Sequence, residues 1–140
     1  MQDTSIQNDI TMKKKLKNPV FNHGRLSIQD TLDVVGGKWK LVLIFLLSEG
    51  KMKFNELVRE AGITPRILSR ELQDLELNGL INRTVCDTKP VTVEYELTEY
   101  SKSLEEVISA LCKWGEGHRV FQHLHILPKM INRNYLTTAV

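Results

Sequence analysis

Four polar side chains recur at helical spacing near the middle of the chain. The positions i, i+3, i+4 and i+7 lie on one face of an α-helix, and here they are occupied by Arg66, Ser69, Arg70 and Gln73. Guanidinium, hydroxyl and amide groups donate hydrogen bonds to phosphate oxygens and to the edges of bases. On this pattern alone an ordinary amphipathic surface helix is the favoured interpretation. A helix that binds the major groove of double-stranded DNA becomes the favoured one because of the hairpin that is predicted directly after it.

The flanking residues predict where this helix begins and ends. Thr64 is a good N-cap, and Pro65 follows at the first helical position, where a missing N–H costs nothing. Gly79, after Asn78, is a typical C-terminal stop. The opposite side of the helix carries an apolar stripe that predicts a buried face, formed by Leu68, Leu72 and Leu75. Thr64 is counted among the groups expected near DNA.

A β-hairpin is predicted directly after this helix. Residues 80–85 and 91–97 are rich in strand-forming side chains and flank a polar tip at residues 87–90. Apolar and polar residues alternate in the second segment, as in a strand with one buried face. Such a wing would bring Arg83 and Lys89 to phosphates beside the groove, but both residues fit equally well as solvated surface cations.

The segment before the recognition helix predicts three more helices. The first ends at Gly36 and has an apolar face made of Ile28, Leu32 and Val35. The second, residues 39–48, is apolar nearly all round, which predicts a central buried helix. The third starts at Lys53 and leads through a tight turn at residues 61–63. This order of elements indicates a helix-turn-helix.

A long C-terminal helix is predicted after the cap residue Thr98, with Gly115 and Gly117 at its end. It carries an apolar stripe composed of Leu104, Val107, Ile108, Leu111 and Trp114. Because the preceding elements already supply a core, we expect the stripe to bind a second copy of the chain. The alternative is packing within its own domain. In a dimer, two recognition helices about 34 Å apart would read an inverted repeat.

Length and composition are those of one globular domain. The 140 residues are 41% hydrophobic and 26% charged, and a net charge of +2 is too small to indicate nucleic acid by itself. We expect a flexible arm at 1–26, a DNA-binding and dimerisation domain at 27–118, and a C-terminal tail at 119–140. No apolar run approaches the roughly 20 residues of a membrane span, and no signal peptide is recognisable, so a cytoplasmic protein without a membrane partner is predicted.

Other kinds of chemistry have little support in the sequence. No enzyme, cofactor or metal is expected, since a nucleophile elbow, phosphate loop, glycine-rich cofactor fingerprint and HExxH helix are all missing. A metal sensor would need carboxylates near three histidines: His118, His123 and His125. Cys86 and Cys112 lack metal-ligand spacing and are expected to be reduced thiols. A winged helix used only for protein contacts, without specific DNA binding, also stays open.

Five motifs occur in a fixed order along the chain: GGKWK, FNEL, GIT with LSRELQDLE, NGLI-R and VEYELT. In this order and spacing they resemble the HxlR-type winged helix-turn-helix transcriptional regulators, relatives of the MarR group, over about residues 26–118. The resemblance implies a mainly α fold with a small β-hairpin wing and with N- and C-terminal dimerisation helices. It also implies a homodimer that binds operator DNA as a local repressor or activator, with Thr64–Leu77 as the recognition helix.

The resemblance implies roles for residues near the N-terminus as well. Lys38 is implied to reach phosphate and Trp39 to pack between helices, while Ile28 and Leu32 lie on the N-terminal dimerisation helix. Many family members carry a cysteine before the first helix, in a Cys-Pro-Val run, where this chain has Leu26. A thiol switch at that place is therefore not implied. A small-molecule effector is an open partner that the sequence does not identify.

Overall fold

The computed structural model describes residues 19–126, which form five α-helices and a three-stranded antiparallel sheet. In chain order the elements are α1 (Pro19–Val35), α2 (Lys40–Ser48), β1 (Met52–Lys53), α3 (Phe54–Ala61), α4 (Pro65–Leu77), β2 (Ile81–Cys86), β3 (Thr92–Leu97), a 3-10 helix (Tyr100–Leu104), α5 (Glu105–Phe121) and a π-helical turn (Gln122–Ile126). The strand order is β1-β3-β2, with β2 and β3 as the hairpin. The predicted class, mainly α with a small hairpin wing, is confirmed.

One hydrophobic core joins α2, α3, α4 and the hairpin. Its buried side chains include Leu43, Ile44 and Leu47 of α2, Leu57 of α3, Leu68, Leu72 and Leu75 of α4, and Leu80, Ile81 and Tyr95 of the hairpin. Full burial of one such side chain contributes roughly 1.5–3 kcal/mol. The predicted inward face of α4 is confirmed, and it supplies three of these residues.

One flank of α2 is less buried than its composition predicts. Val42 is 40% exposed and Phe45 is 46% exposed. The elements α3, α4 and β3 cover the other flank, whereas Val42 and Phe45 border an open groove beside α5. The prediction of a helix buried all round is therefore wrong. A uniformly apolar sequence does not show how many neighbours will cover the helix.

The short strand β1 has no counterpart in the sequence analysis. Met52 and Lys53 pair with Tyr95 and Glu94 of β3, and two residues are too few to show an alternating pattern. Next to the strand, the Lys51 Nζ lies 3.1 Å from a Glu94 carboxylate oxygen. This hydrogen-bonded ion pair lowers the pKa of Glu94 and raises the pKa of Lys51. The strand and the ion pair together hold β3 against the start of α3.

Residues 19–26, which the sequence assigns to a flexible arm, are helical and belong to α1. The side chains described in this stretch are all exposed, so no buried face imposes a period on the sequence. That part of the prediction is wrong. Residues 1–18 of the predicted arm and residues 127–140 of the predicted tail lie outside the described residues.

The last helix also differs from the prediction. The 3-10 helix separates Thr98 from α5. The Thr98 hydroxyl oxygen accepts a hydrogen bond from the Ser101 N–H of that short helix at 3.4 Å, and the hydroxyl donates to the Gly79 carbonyl oxygen at 2.7 Å. The helix continues through Gly115 and Gly117, since neither has the positive φ with which a glycine ends a helix. In a helix interior a glycine costs only about 1 kcal/mol relative to alanine. Residues 119–126, predicted as tail, are therefore helical.

A Schellman motif ends α4 and turns the chain directly into β2. After the C-cap Asn78, the Gly79 N–H donates to the Glu76 carbonyl oxygen and the Leu80 N–H to the Leu75 carbonyl oxygen, both at 2.9 Å. Gly79 has φ +72°, in the left-handed region that glycine adopts without strain. Leu75 and Leu80 are both buried. This joint fixes the direction in which the hairpin leaves the helix.

Replacing Gly79 by alanine should destabilise the fold, whereas replacing Gly117 by alanine should stabilise it. A Cβ at either position meets no atom within 4 Å, so the backbone conformation decides the sign. The left-handed φ at position 79 should cost alanine about 1–2 kcal/mol. In the helix at position 117, alanine should gain about 1 kcal/mol over glycine. Urea unfolding followed by circular dichroism measures both changes, and equal changes of the same sign would contradict this account of the joint.

Candidate nucleic-acid interface

A glycine and a threonine cap fix the turn between α3 and α4. Gly62 has φ +65°, and its N–H donates to the Val58 carbonyl oxygen at 3.1 Å. The Thr64 hydroxyl oxygen accepts a hydrogen bond from the Ile67 N–H at 3.4 Å, and Pro65 is the first residue of α4. The predicted start of the helix and the helix-turn-helix order are confirmed.

The side of α4 opposite the core presents hydrogen-bond donors to solvent. We call it the recognition face, defined by four exposed residues: Arg66, Ser69, Arg70 and Gln73. Burial of the leucine stripe on the other side of the helix forces this orientation. The structure thus brings the four predicted residues together on an open surface. Their contact with DNA stays a prediction.

A groove between α4 and the hairpin connects the recognition face with the wing. Its lining consists of Phe54, Ser69, Gln73, Glu76, Arg83, Val93 and Tyr95. Arg83 lies opposite Tyr95 in the register of β2 and β3, so the two side chains are on the same face of the hairpin, and both line the groove. Arg83 therefore shares the groove with two residues of the recognition face, and a single bound molecule can contact all three.

Two threonines hold the tip of the hairpin. The Thr88 hydroxyl donates to the Pro90 carbonyl oxygen at 2.8 Å and lies 3.0 Å from the Thr92 hydroxyl oxygen. Lys89 is exposed at this tip, as predicted. A phosphate contact by Lys89 stays a prediction.

An ion-pair cluster joins α2 to α4. The Lys40 Nζ lies 2.9 Å from a Glu71 carboxylate oxygen and 3.3 Å from an Asp74 carboxylate oxygen, and we call these three residues the Lys40 cluster. Glu71 is buried, and the Lys40 side chain is only 14% exposed. The hydrogen bond to Glu71 is the main reason why the pKa of Lys40 is raised. The sequence does not predict this cluster, because no local pattern links residues of two separate helices.

Lys38 and Trp39 lie in the turn before α2. Trp39 is half-buried and packs against the core, in keeping with the packing role that the resemblance implies. The Lys38 Nζ is 4.9 Å from the centroid of the Trp39 ring, close enough for a cation–π interaction. Gly37 has φ +89°, which explains a glycine at this turn. Lys38 itself is exposed, and its phosphate contact stays a prediction.

The residues predicted to form a dimer fall into two groups. Leu104 and Ile108 are half-buried against the chain's own core. The other group is exposed in the single chain and comprises Ile28, Leu32, Val107, Leu111 and Trp114. Trp114 is 69% exposed, and its ring stacks on the His118 ring with centroids 5.0 Å apart. The apolar stripe of α5 thus serves partly as core and partly as open surface.

The remaining candidate groups are dispersed. Residues 19–126 contain no arrangement of three or more His, Cys, Asp or Glu side chains that could hold a metal ion. His125 stacks on the Phe121 ring with centroids 4.7 Å apart. The free thiols of this part of the chain are the half-buried Cys86 and the exposed Cys112. None of the helices in the described range is long and apolar enough to cross a membrane.

Proteins with similar sequences are known as transcriptional regulators. The family model for HxlR-like helix-turn-helix proteins matches residues 34–123. The uncharacterized HTH-type transcriptional regulator YtcD of Bacillus subtilis (strain 168) is 46% identical over 94 residues, which are 66% of this chain and 75% of YtcD. YybR, with the same description and from the same organism, is 40% identical over 104 residues, which are 74% of this chain and 83% of YybR.

Solved structures show the same architecture. The crystal structure of YtcD matches with a TM-score of 0.62 at 44% identity, over 65% of this chain and 94% of that one. The redox regulator HypR in its reduced form matches with a TM-score of 0.65 at 39% identity, over 71% of this chain and 99% of HypR. The family match spans well over half of the sequence, and the fold agrees with it. The chain therefore belongs to the HxlR family of helix-turn-helix transcriptional regulators.

Proposed function

We propose that the chain regulates transcription by binding a specific operator as a homodimer, with α4 in the major groove. The observation that carries the proposal is the recognition face, which presents four exposed donors on a helix whose other face is held in the core. The major groove admits an α-helix, and there such donors distinguish all four base pairs. The proposal includes a cytoplasmic location, because a chromosomal operator lies in the cytoplasm of a cell without a nucleus, such as that of Bacillus subtilis, from which relatives are known.

Affinity and sequence discrimination come from different contacts in this proposal. Basic side chains supply most of the affinity through phosphates and make it fall with salt, and the candidates are Lys38, Arg66, Arg70, Arg83 and Lys89. Thr64 lies at the N-terminus of α4, where backbone N–H groups attract phosphate. Bases are discriminated by the recognition face, at about 1–3 kcal/mol for each good bidentate pair.

Dimerisation through α1 and α5 would present two recognition helices to an inverted repeat. Exposed apolar side chains on both helices support a partner here, and the largest is Trp114. Recognition helices about 34 Å apart match one turn of B-DNA. An effector that changed the angle between the subunits would change this distance and thereby the affinity.

Charge reversal on the recognition face should abolish DNA binding and leave the fold intact. Arg66→Glu combined with Arg70→Glu replaces two phosphate or base contacts by repulsion, and both residues are exposed. We expect the affinity for operator DNA to fall at least 100-fold, roughly the loss of two contacts of about 1–3 kcal/mol each. Fluorescence anisotropy with a labelled duplex measures the affinity, and circular dichroism checks the fold.

The matched control carries the same change of charge on other exposed positions, Lys102→Glu combined with Lys113→Glu. Net charge alone would weaken both variants equally, which would contradict a binding surface on α4. Undiminished DNA binding by the recognition-face variant would place the DNA contact on another surface. A wild type that binds no duplex specifically would favour the winged helix as a protein-interaction module.

Trp114→Glu should convert the proposed dimer into a monomer. In the single chain this side chain is 69% exposed, so its replacement should affect the subunit fold little while placing a charge in the apolar interface. Sedimentation equilibrium should give twice the 16.1 kDa chain mass for the wild type and for the exposed control Lys113→Glu, but the single-chain mass for Trp114→Glu. An unchanged mass for Trp114→Glu would place the interface elsewhere, and a monomeric wild type would contradict the dimer.

A further inference from the structure

The Lys40 cluster connects the central helix to the recognition helix through a single cation. Lys40 is the first residue of α2, and its Nζ lies within 3.3 Å of carboxylate oxygens of both Glu71 and Asp74. Glu71 is buried although it carries a charged group, with 8% of its surface exposed. An acid at that position of α4 lies at the edge of the leucine stripe, where the helix meets α2.

Two charged contacts constrain the helix in a way that the leucines do not. Apolar packing determines which side of α4 faces inward, but the hydrophobic effect is non-directional and scales with the buried area, which a small rotation changes little. Glu71 and Asp74 are three positions apart and therefore lie on one edge of the helix. A cation fixed on α2 that contacts both carboxylates sets the rotation of α4 about its own axis. That rotation decides where the recognition face points.

The cluster also extends to the recognition face. While one Glu71 carboxylate oxygen contacts Lys40, the other lies 3.8 Å from an Arg70 guanidinium nitrogen. The Arg70 side chain is otherwise 75% exposed and has many conformations available. Glu71 therefore links a largely buried residue of α2 to an exposed donor on the surface that is proposed to contact bases.

We propose that Lys40 and Glu71 are positioning residues, which make the protein select its operator over other DNA without touching DNA themselves. This inference rests on the proposed function. Lys40 holds Glu71 and with it the rotation of α4, and Glu71 holds Arg70 in place. A buried ion pair adds little net stability compared with apolar packing, but it specifies one arrangement of the groups that form it.

Positioning and charge alone predict changes of opposite sign in the operator affinity of Glu71→Gln. Removing a negative charge from the DNA-binding helix should strengthen binding to every duplex if only Coulomb attraction matters. Positioning predicts instead that the affinity for the operator falls about tenfold, the loss of roughly one good base contact. Binding to an unrelated duplex should be unchanged or slightly stronger, because phosphate contacts carry no sequence information.

The experiment uses a duplex that the wild-type protein selects from a random library, together with an unrelated duplex of equal length. Fluorescence anisotropy gives both affinities for the wild type, Glu71→Gln and the control Glu60→Gln, which makes the same chemical change at an exposed position of α3 outside the cluster and outside the groove. We expect Glu60→Gln to change the affinity for both duplexes alike. Asp74→Asn, at a side chain that is 47% exposed, repeats the test if Glu71→Gln folds poorly.

Variants of Lys40 separate positioning from a direct phosphate contact. Lys40→Arg retains a cation at the cluster and should largely retain discrimination between the two duplexes, whereas Lys40→Met should lose it. The dependence of affinity on salt should be the same in both variants. If the slope of log affinity against log salt concentration fell in magnitude by about one in Lys40→Met, Lys40 would contact a phosphate, which would overturn the inference.

Two further results would overturn the inference. If Glu71→Gln strengthened binding to both duplexes alike, the loss of a negative charge alone would explain the effect. If it weakened both duplexes equally, its role would be general stability. A wild type that selects no sequence would instead refute the proposed function itself, so the two failures are distinguishable.

Discussion

The recognition helix depends on the burial of its leucine face. Leu68, Leu72 and Leu75 are at most 1% exposed, and each contributes roughly 1.5–3 kcal/mol on burial. A helix of 13 residues is marginal in water by itself, so this packing is what makes it persist. Because one face is held in the core, the opposite face is presented to solvent. The caps at Thr64 and Gly79 decide where the helix begins and ends.

Features that depend on a few neighbouring residues were predictable from the sequence. The N-cap at Thr64, the leucine stripe, the left-handed Gly79 and the hairpin all follow from patterns within one or two turns of the chain. The recognition face followed from the same helical period. Its exposure is the necessary consequence of burying the other side.

Features that depend on distant partners were not predictable. The strand β1 exists only because β3 lies beside it, and the Lys40 cluster exists only because α2 crosses α4. The sequence predicts a helix end at Gly115, but a glycine ends a helix only where the chain turns, and here the helix continues through it. Charges were harder to interpret than apolar residues. Glu71 has the sequence features of a surface acid, yet it is buried beside Lys40.

Titration of the wild-type protein with duplex DNA from its own upstream region is the decisive test of sequence-specific recognition by α4. Fluorescence anisotropy at two salt concentrations, with an unrelated duplex as competitor, measures specificity and phosphate contacts together. Sequence-specific recognition predicts tight binding to the upstream duplex that persists in the presence of the competitor and weakens steeply with salt. Binding equal to that of the unrelated duplex, for this region and for a library of genomic fragments, would contradict sequence-specific recognition by α4.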